Sequence, residues 1–281
     1  MNYKPKIPLF GVNMGELVFI GIGLYDYLDI SLRGLEEVKK ADYVFAEFYT
    51  SFMPGFKIEE FRKIAGKDII VVSRRDIEDD DGKIIIDKAL DGRVAFLTPG
   101  DPMIATTHVA LRVKAEKMGI KTRVIHGASI LSAAIGLSGL QNYRFGKSVT
   151  IPFPEDGLLS QTPYTVISEN KSRNLHTLCF LDIKAEEFRF MCIREALEIL
   201  MKLEEINKRG LFKEDSLAIG IARAGSEKPI VKADTIRDLM RLDFGGPPHT
   251  LIIPADNLHF MEAEALITLA GAPNWVMRMI R

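Results

Sequence analysis

The feature that most constrains this chain is an alternation in its first half. Short apolar runs, ELVFIG (16–21), YVFAE (43–47), IIVVS (69–73), VAFLT (94–98) and TRVIHG (122–127), are separated by helix-like segments, among them ISLRGLEEVKKA (30–41), IEEFRKIA (58–65) and MIATTHVALRVKAEKMG (103–119). Strands that alternate with helices of this length imply right-handed βαβ crossovers and a mostly parallel sheet.

The second half has a different rhythm. A helix over 163–171 leads to TLCFLDI (177–183) and then to a long helix over 193–208. SLAIGIA (216–222) and PIVKA (229–233) flank the turn RAGSEK and read as a hairpin, which makes the second sheet mixed or antiparallel. HTLIIPA (249–255) and a last helix near 260–270 complete it. The expectation is two α/β domains joined between 126 and 147, preceded by a loose extension over 1–14 that carries Pro5, Pro8 and two lysines.

Charge and composition exclude several classes. A net charge of −1 opposes a surface built to bind phosphate backbones, so no nucleic-acid partner is expected. No apolar run reaches the roughly 18 residues of a membrane span, and no signal peptide opens the chain. Cys179 and Cys192 lack metal spacing and read as buried, reduced thiols of a cytoplasmic protein. The five histidines show no metal-binding pairing.

Two stretches hold candidate chemistry. In FIGIGLYD (19–26), Gly21 and Gly23 follow a strand and let backbone approach a ligand. The third glycine of a dinucleotide fingerprint would fall at Asp26, although Glu47 ends the next strand where a ribose-binding acid would sit. In FLTPGDPMIATTH (96–108) a strand breaks on a cramped turn and resumes as helix. Asp101-Pro102 suits a helix start, with Asp as N-cap and Pro in the first turn. The same corner is where an α/β fold binds small molecules, and the residues alone leave both readings open.

Eight stretches taken in order resemble one family. They are FIGIGLYDYLDIS (19–31), DYVFAEFYTS (42–51), FLTPGDPMIATTH (96–108), VIHGASI (124–130), FGKS (145–148), HTLCFLDIKAEE (176–187), IARAGS (221–226) and FGGPPHTLII (244–253). Together they resemble the diphthine synthases of archaeal type, within the tetrapyrrole methylase-like fold. The resemblance implies an N-terminal α/β domain over 15–126 and a C-terminal one over 127–281, with a ligand cleft between them. It implies a methyltransferase using S-adenosylmethionine (SAM), with no metal. The implied substrate is translation elongation factor 2, whose 3-amino-3-carboxypropyl-histidine is methylated repeatedly on its amine to give diphthine. SAM contacts carry over onto Leu24, Asp101, Ile104, Ser129, Ile130, Leu181, Ala222 and His249, and the resemblance implies a homodimer. Methylation of a small tetrapyrrole is the alternative within the fold. A nicotinamide-dependent Rossmann oxidoreductase, favoured by Gly21, Gly23 and Glu47, is the alternative outside it. The chain departs from the family at Tyr27, Leu28, Gly127, Gly246 and 154–159, positions that bear on docking of the protein substrate.

The implied reaction fits a chain with no catalytic triad. An α-amine has a pKa near 7.7–8.0, so roughly a tenth of it is neutral and nucleophilic at pH 7. Alignment then supplies up to ~7–11 kcal/mol of the acceleration. No general base is assigned from the sequence.

Overall fold

The structure is a computed structural model that describes residues 15–281, so the extension expected over 1–14 lies outside the described residues. The chain forms two compact units. One comprises 30–48, 57–127 and the described residues up to Ile22; the other comprises 23–29, 49–56 and 128–281.

The first unit is built as the alternation predicts. β1 (Glu16–Gly21), α1 (Leu32–Lys40), β2 (Tyr43–Glu47), α2 (Ile58–Ala65), β3 (Ile69–Val72), α3 (Lys83–Asp91), β4 (Arg93–Thr98), α4 (His108–Lys117) and β5 (Lys121–Ile125) follow in order. The strands pair in the order β3-β2-β4-β1-β5, all parallel. Central strands are apolar throughout because helices cover both faces; Leu17 to Ile20 and Val94 to Leu97 are fully buried. At the amino-terminal edge, Arg93 and Arg123 share Glu16 and the buried Glu37. Burial works against the Glu37 charge, but the hydrogen bond and field of the arginines outweigh it and hold its carboxyl below the usual range. This charged edge lies at the strand ends opposite the exits of β1, β4 and β5.

One expectation fails here. The helix predicted over 103–119 starts only at His108, with Thr107 at its N-cap position. Residues 101–107 form successive turns, and Ala105 has φ +55°, outside the helical region. Asp101 is therefore not a helix cap. Its Oδ1 instead accepts the Met103 N–H at 2.9 Å, closing a local turn.

The second unit holds α5 (Ile130–Ser138), β6 (Val149–Ile151), α6 (Thr162–Ser172), β7 (Thr177–Leu181), β8 (Ile183–Lys184), β9 (Arg189–Phe190), α7 (Ile193–Asn207), β10 (Leu217–Ala222), β11 (Ile230–Thr235), α8 (Ile236–Arg241), β12 (His249–Ile253) and α9 (Phe260–Ala270). Its main sheet runs β11-β10-β12-β7-β6. β10 pairs antiparallel with β11 and β12, and β12 with β7, while β6 joins β7 in parallel. The hairpin and the mixed sheet read from the sequence are present. Period-two alternation sends Leu251 to one face, packed with Leu197 and Leu200, and Ile252 to the other, packed with Ala263 and Leu266. Cys179 is buried, whereas Cys192 is only half-buried at the N-cap of α7, and both are free thiols.

Candidate active site

In the first unit the exits of β1, β4 and β5 meet backbone to backbone. A Cβ at Gly21 would lie 2.4 Å from the Gly100 carbonyl oxygen and 2.6 Å from the Gly127 nitrogen. A Cβ at Gly127 would lie 2.4 Å from the same Gly100 oxygen. The bareness of Gly21 serves this three-way contact between loops. Gly127, a point of departure from the family pattern, is a packed corner.

Asp101 sits on that corner with its side chain 7% exposed. Ile104 is in the same turn, its N–H donated to the Asp101 carbonyl at 3.2 Å. The sequence reading missed the partner of the Asp101 side chain. His126, the residue after β5, brings its Nδ1 to 2.7 Å from Asp101 Oδ2, while its ring stays 75% exposed. Carboxylate and imidazole are 25 residues apart, and no local pattern links them.

Glu47, the acid that the dinucleotide reading needed, is fully buried, with Oε1 3.9 Å from His108 Nε2. Burial lowers the His108 pKa to about 4 and keeps its ring neutral. A wholly buried carboxylate has no face to offer a ribose, which removes the main support for a nicotinamide enzyme.

In the second unit, three predicted contacts share one sheet end. Leu181 closes β7, Ala222 closes β10, and His249, opposite Ala222, opens the antiparallel β12. Leu24 joins them through the turn after β10: a Cβ on Gly225 would lie 2.6 Å from Leu24 Cβ. Asp29 fixes this loop by accepting the N–H groups of Leu24 and Tyr25 at 3.0 and 2.8 Å. Ser129 and Ile130 open α5, and Ile130 packs on the α9 side of the sheet.

His249 donates from Nε2 to the Gly246 carbonyl at 3.1 Å, which leaves Nδ1 as an acceptor. Nδ1 is buried without a hydrogen-bond partner, as is Ser226 Oγ in the turn after β10. Burial lowers the His249 pKa, so the neutral acceptor form persists. Arg223, also missed from sequence, ties the loop before His249 by donating to Phe244 O at 2.8 Å and Gly246 O at 2.5 Å. Buried polar atoms are ordinarily paired, so these two orphans fit a site that takes a polar ligand. Among the described residues, no group of three or more His, Cys, Asp or Glu is placed to hold a metal.

The family model described as Tetrapyrrole (Corrin/Porphyrin) Methylases matches residues 16–240, and the protein is a SAM-dependent methyltransferase. The chain is 52% identical over 255 residues to a diphthine synthase of Methanocella arvoryzae, covering 91% of this chain and 98% of that one. It is 52% identical over 269 residues to one of Methanosarcina mazei, covering 94% and 99%. A crystal structure of diphthine synthase superposes with a TM-score of 0.86 at 44% identity, over 94% of this chain and all of that one. The chain belongs to the diphthine synthase family.

Proposed function

We propose that this protein uses SAM to methylate, repeatedly, the amine of the 3-amino-3-carboxypropyl-histidine of translation elongation factor 2, giving diphthine in the cytoplasm. The observation that carries the reading is identity of about half the residues along nearly the whole length of diphthine synthases. The buried Asp101 carboxylate and the orphaned His249 Nδ1 support it at the level of chemistry.

When bound, SAM supplies a methyl group activated by its sulfonium. Asp101 and Ile104 from the first unit hold its methionine end, Asp101 by meeting the cationic α-amine. The resemblance also gives SAM contacts to Leu24, Ser129, Ile130, Leu181, Ala222 and His249, whose Nδ1 would accept a ligand N–H or O–H. The protein contributes alignment and exclusion of water. Among the described residues no helix is long and apolar enough to cross a membrane. The working form is a homodimer, and light scattering is expected to give twice the 31.5 kDa chain mass.

The decisive experiment incubates the protein with SAM and elongation factor 2 bearing the aminocarboxypropyl-histidine, followed by mass spectrometry. Mass gains in steps of one methyl each, up to the three that turn a primary amine into a quaternary ammonium, on that histidine are expected. Transfer to a precorrin-type tetrapyrrole and none to the factor would replace this reading by the alternative within the fold.

A further inference from the structure

The His126–Asp101 pair does more than hold a loop. Asp101 accepts, so the imidazole donates its Nδ1–H across the 2.7 Å contact and keeps the lone pair on Nε2. Nε2 has no hydrogen-bond partner among the described residues, and the ring is 75% exposed. The backbone under it is fixed, because the adjoining Gly127 is wedged against Gly21 and Gly100. The result is a rigidly mounted acceptor beside the carboxylate assigned to the cofactor.

Three other histidines are used by the fold. His108 is buried against Thr98 and Glu47. His176 accepts from Ala255 N and donates to Glu262. His259 caps α9. His126 is the one that couples a buried carboxylate to an exposed ring nitrogen at the carboxyl ends of a parallel sheet, where such folds bind ligands.

We propose that His126 is a catalytic residue: its Nε2 accepts an N–H of the substrate amine and turns the amine lone pair toward the methyl group to be transferred. This rests on the function proposed above. In each transfer the amine nitrogen forms a bond to the methyl carbon as the carbon–sulfur bond breaks, and that electron pair stays on sulfur as a neutral thioether. After the first and second transfers the nitrogen is left as an ammonium, whose proton passes to Nε2 and, because the ring is exposed, onward to water. The dimethylated amine has no N–H when neutral, and the quaternary product has no proton to lose. The role of His126 therefore covers the first two transfers and not the third.

That asymmetry is the test. In His126→Ala the first and second transfers slow by about three- to tenfold, the size of one neutral hydrogen bond. The third, measured from dimethylated elongation factor 2 at a pH above the pKa of its tertiary amine, where no N–H remains, changes by less than about twofold on the same scale. His126→Gln, whose amide both donates toward Asp101 and offers an acceptor oxygen, recovers most of the loss. Rates are compared at saturating SAM, because His126→Ala also frees the Asp101 carboxylate; in His126→Gln, which keeps a donor toward Asp101, SAM affinity by calorimetry stays within about twofold. Independently of turnover, 15N NMR of the cofactor-free protein shows the Nδ1–H tautomer at His126, which is lost in Asp101→Ala. Equal slowing of all three transfers, no slowing, or an Nε2–H tautomer overturns the assignment. If His126→Ala does not fold, the His126→Gln rates and the wild-type tautomer decide it alone. Failure of the wild-type protein to methylate the factor overturns the proposed function and this inference with it.

Discussion

The corner of the first unit and the sheet end of the second are built on opposite principles. At the corner the carboxylate is satisfied: three backbones touch, both Asp101 oxygens are engaged, and the charge is fixed before any ligand arrives. At the sheet end a ring nitrogen and a hydroxyl are buried with nothing to bond. The first arrangement offers preorganised electrostatics, which need no rearrangement to act. The second carries a desolvation cost that a polar ligand would relieve.

The largest effect should come from breaking the corner itself. Gly21→Ala places a methyl against two backbone atoms that cannot yield, an overpacking cost of about 1–3 kcal/mol. A fall in Tm of roughly 3–10 °C follows from the usual conversion, with SAM binding lost. The contrasting substitution is Gly136→Ala, in the interior of α5 with open space around it. It should raise Tm by about 2–3 °C from helix propensity alone, with binding intact. Equal behaviour of the two variants in thermal melts would erase the distinction between a wedged glycine and a replaceable one.

Next in size is the contrast of charge with neutral bonding. Asp101→Asn keeps the turn acceptor for Met103 but removes the charge, and SAM affinity should fall about tenfold to a hundredfold, with Tm within about 2 °C. His249→Phe removes one neutral acceptor and should cost only about three- to tenfold. Because burial lowers the His249 pKa, that smaller effect should persist unchanged as pH falls through the ordinary histidine range near 6.5. Calorimetry on the two variants measures both, and a larger loss at His249 would reverse the assignment of charge recognition.

The smallest expected effect separates the units by pH. His108 binds its proton less readily when folded, at about 4 against 6.5. The unfolded chain therefore takes up the proton first, and stability of the first unit declines as pH drops from 6.5 toward 4. In the second unit Glu262 is held at about 2 against 4.5: burial opposes its charge, but hydrogen bonds from His176, His259 N and Gln141 N prevail. Its contribution is complete above 4.5 and is lost as pH falls toward 2. Hydrogen exchange followed by mass spectrometry should show protection failing around β2 and α4 at higher pH than around α9. Simultaneous failure would mean that neither buried group governs its own unit.

Where local rules suffice, the sequence was readable. Two apolar runs flanking the turn RAGSEK delimited the hairpin of β10 and β11, and the last helix lies at 260–270 as its pattern indicated. The two-residue strands β8 and β9 carry too little pattern to be seen. The stretch after Pro102 departs from the helix expected there because an apolar run with threonines resembles the start of a helix, whereas Ala105 takes a φ of +55° that the local pattern does not signal.

By itself, then, the sequence determined the kind of each sheet, the alternation of layers and, through eight ordered stretches, the family. Backbone propensity and burial periodicity act over a few residues, and a chain records them in one dimension. Which strand ends meet was decided only in three dimensions. β4 and β5 do not pair with each other; both flank β1, and their register sets Thr98 beside Gly21 and Ile125 beside Ile20. That register carries Asp101 and His126 past the sheet edge to within 2.7 Å of each other. A hydrogen bond between side chains just beyond two strands separated by a third depends on sheet order and on glycines that let the backbones touch, so no spacing in the sequence encodes it.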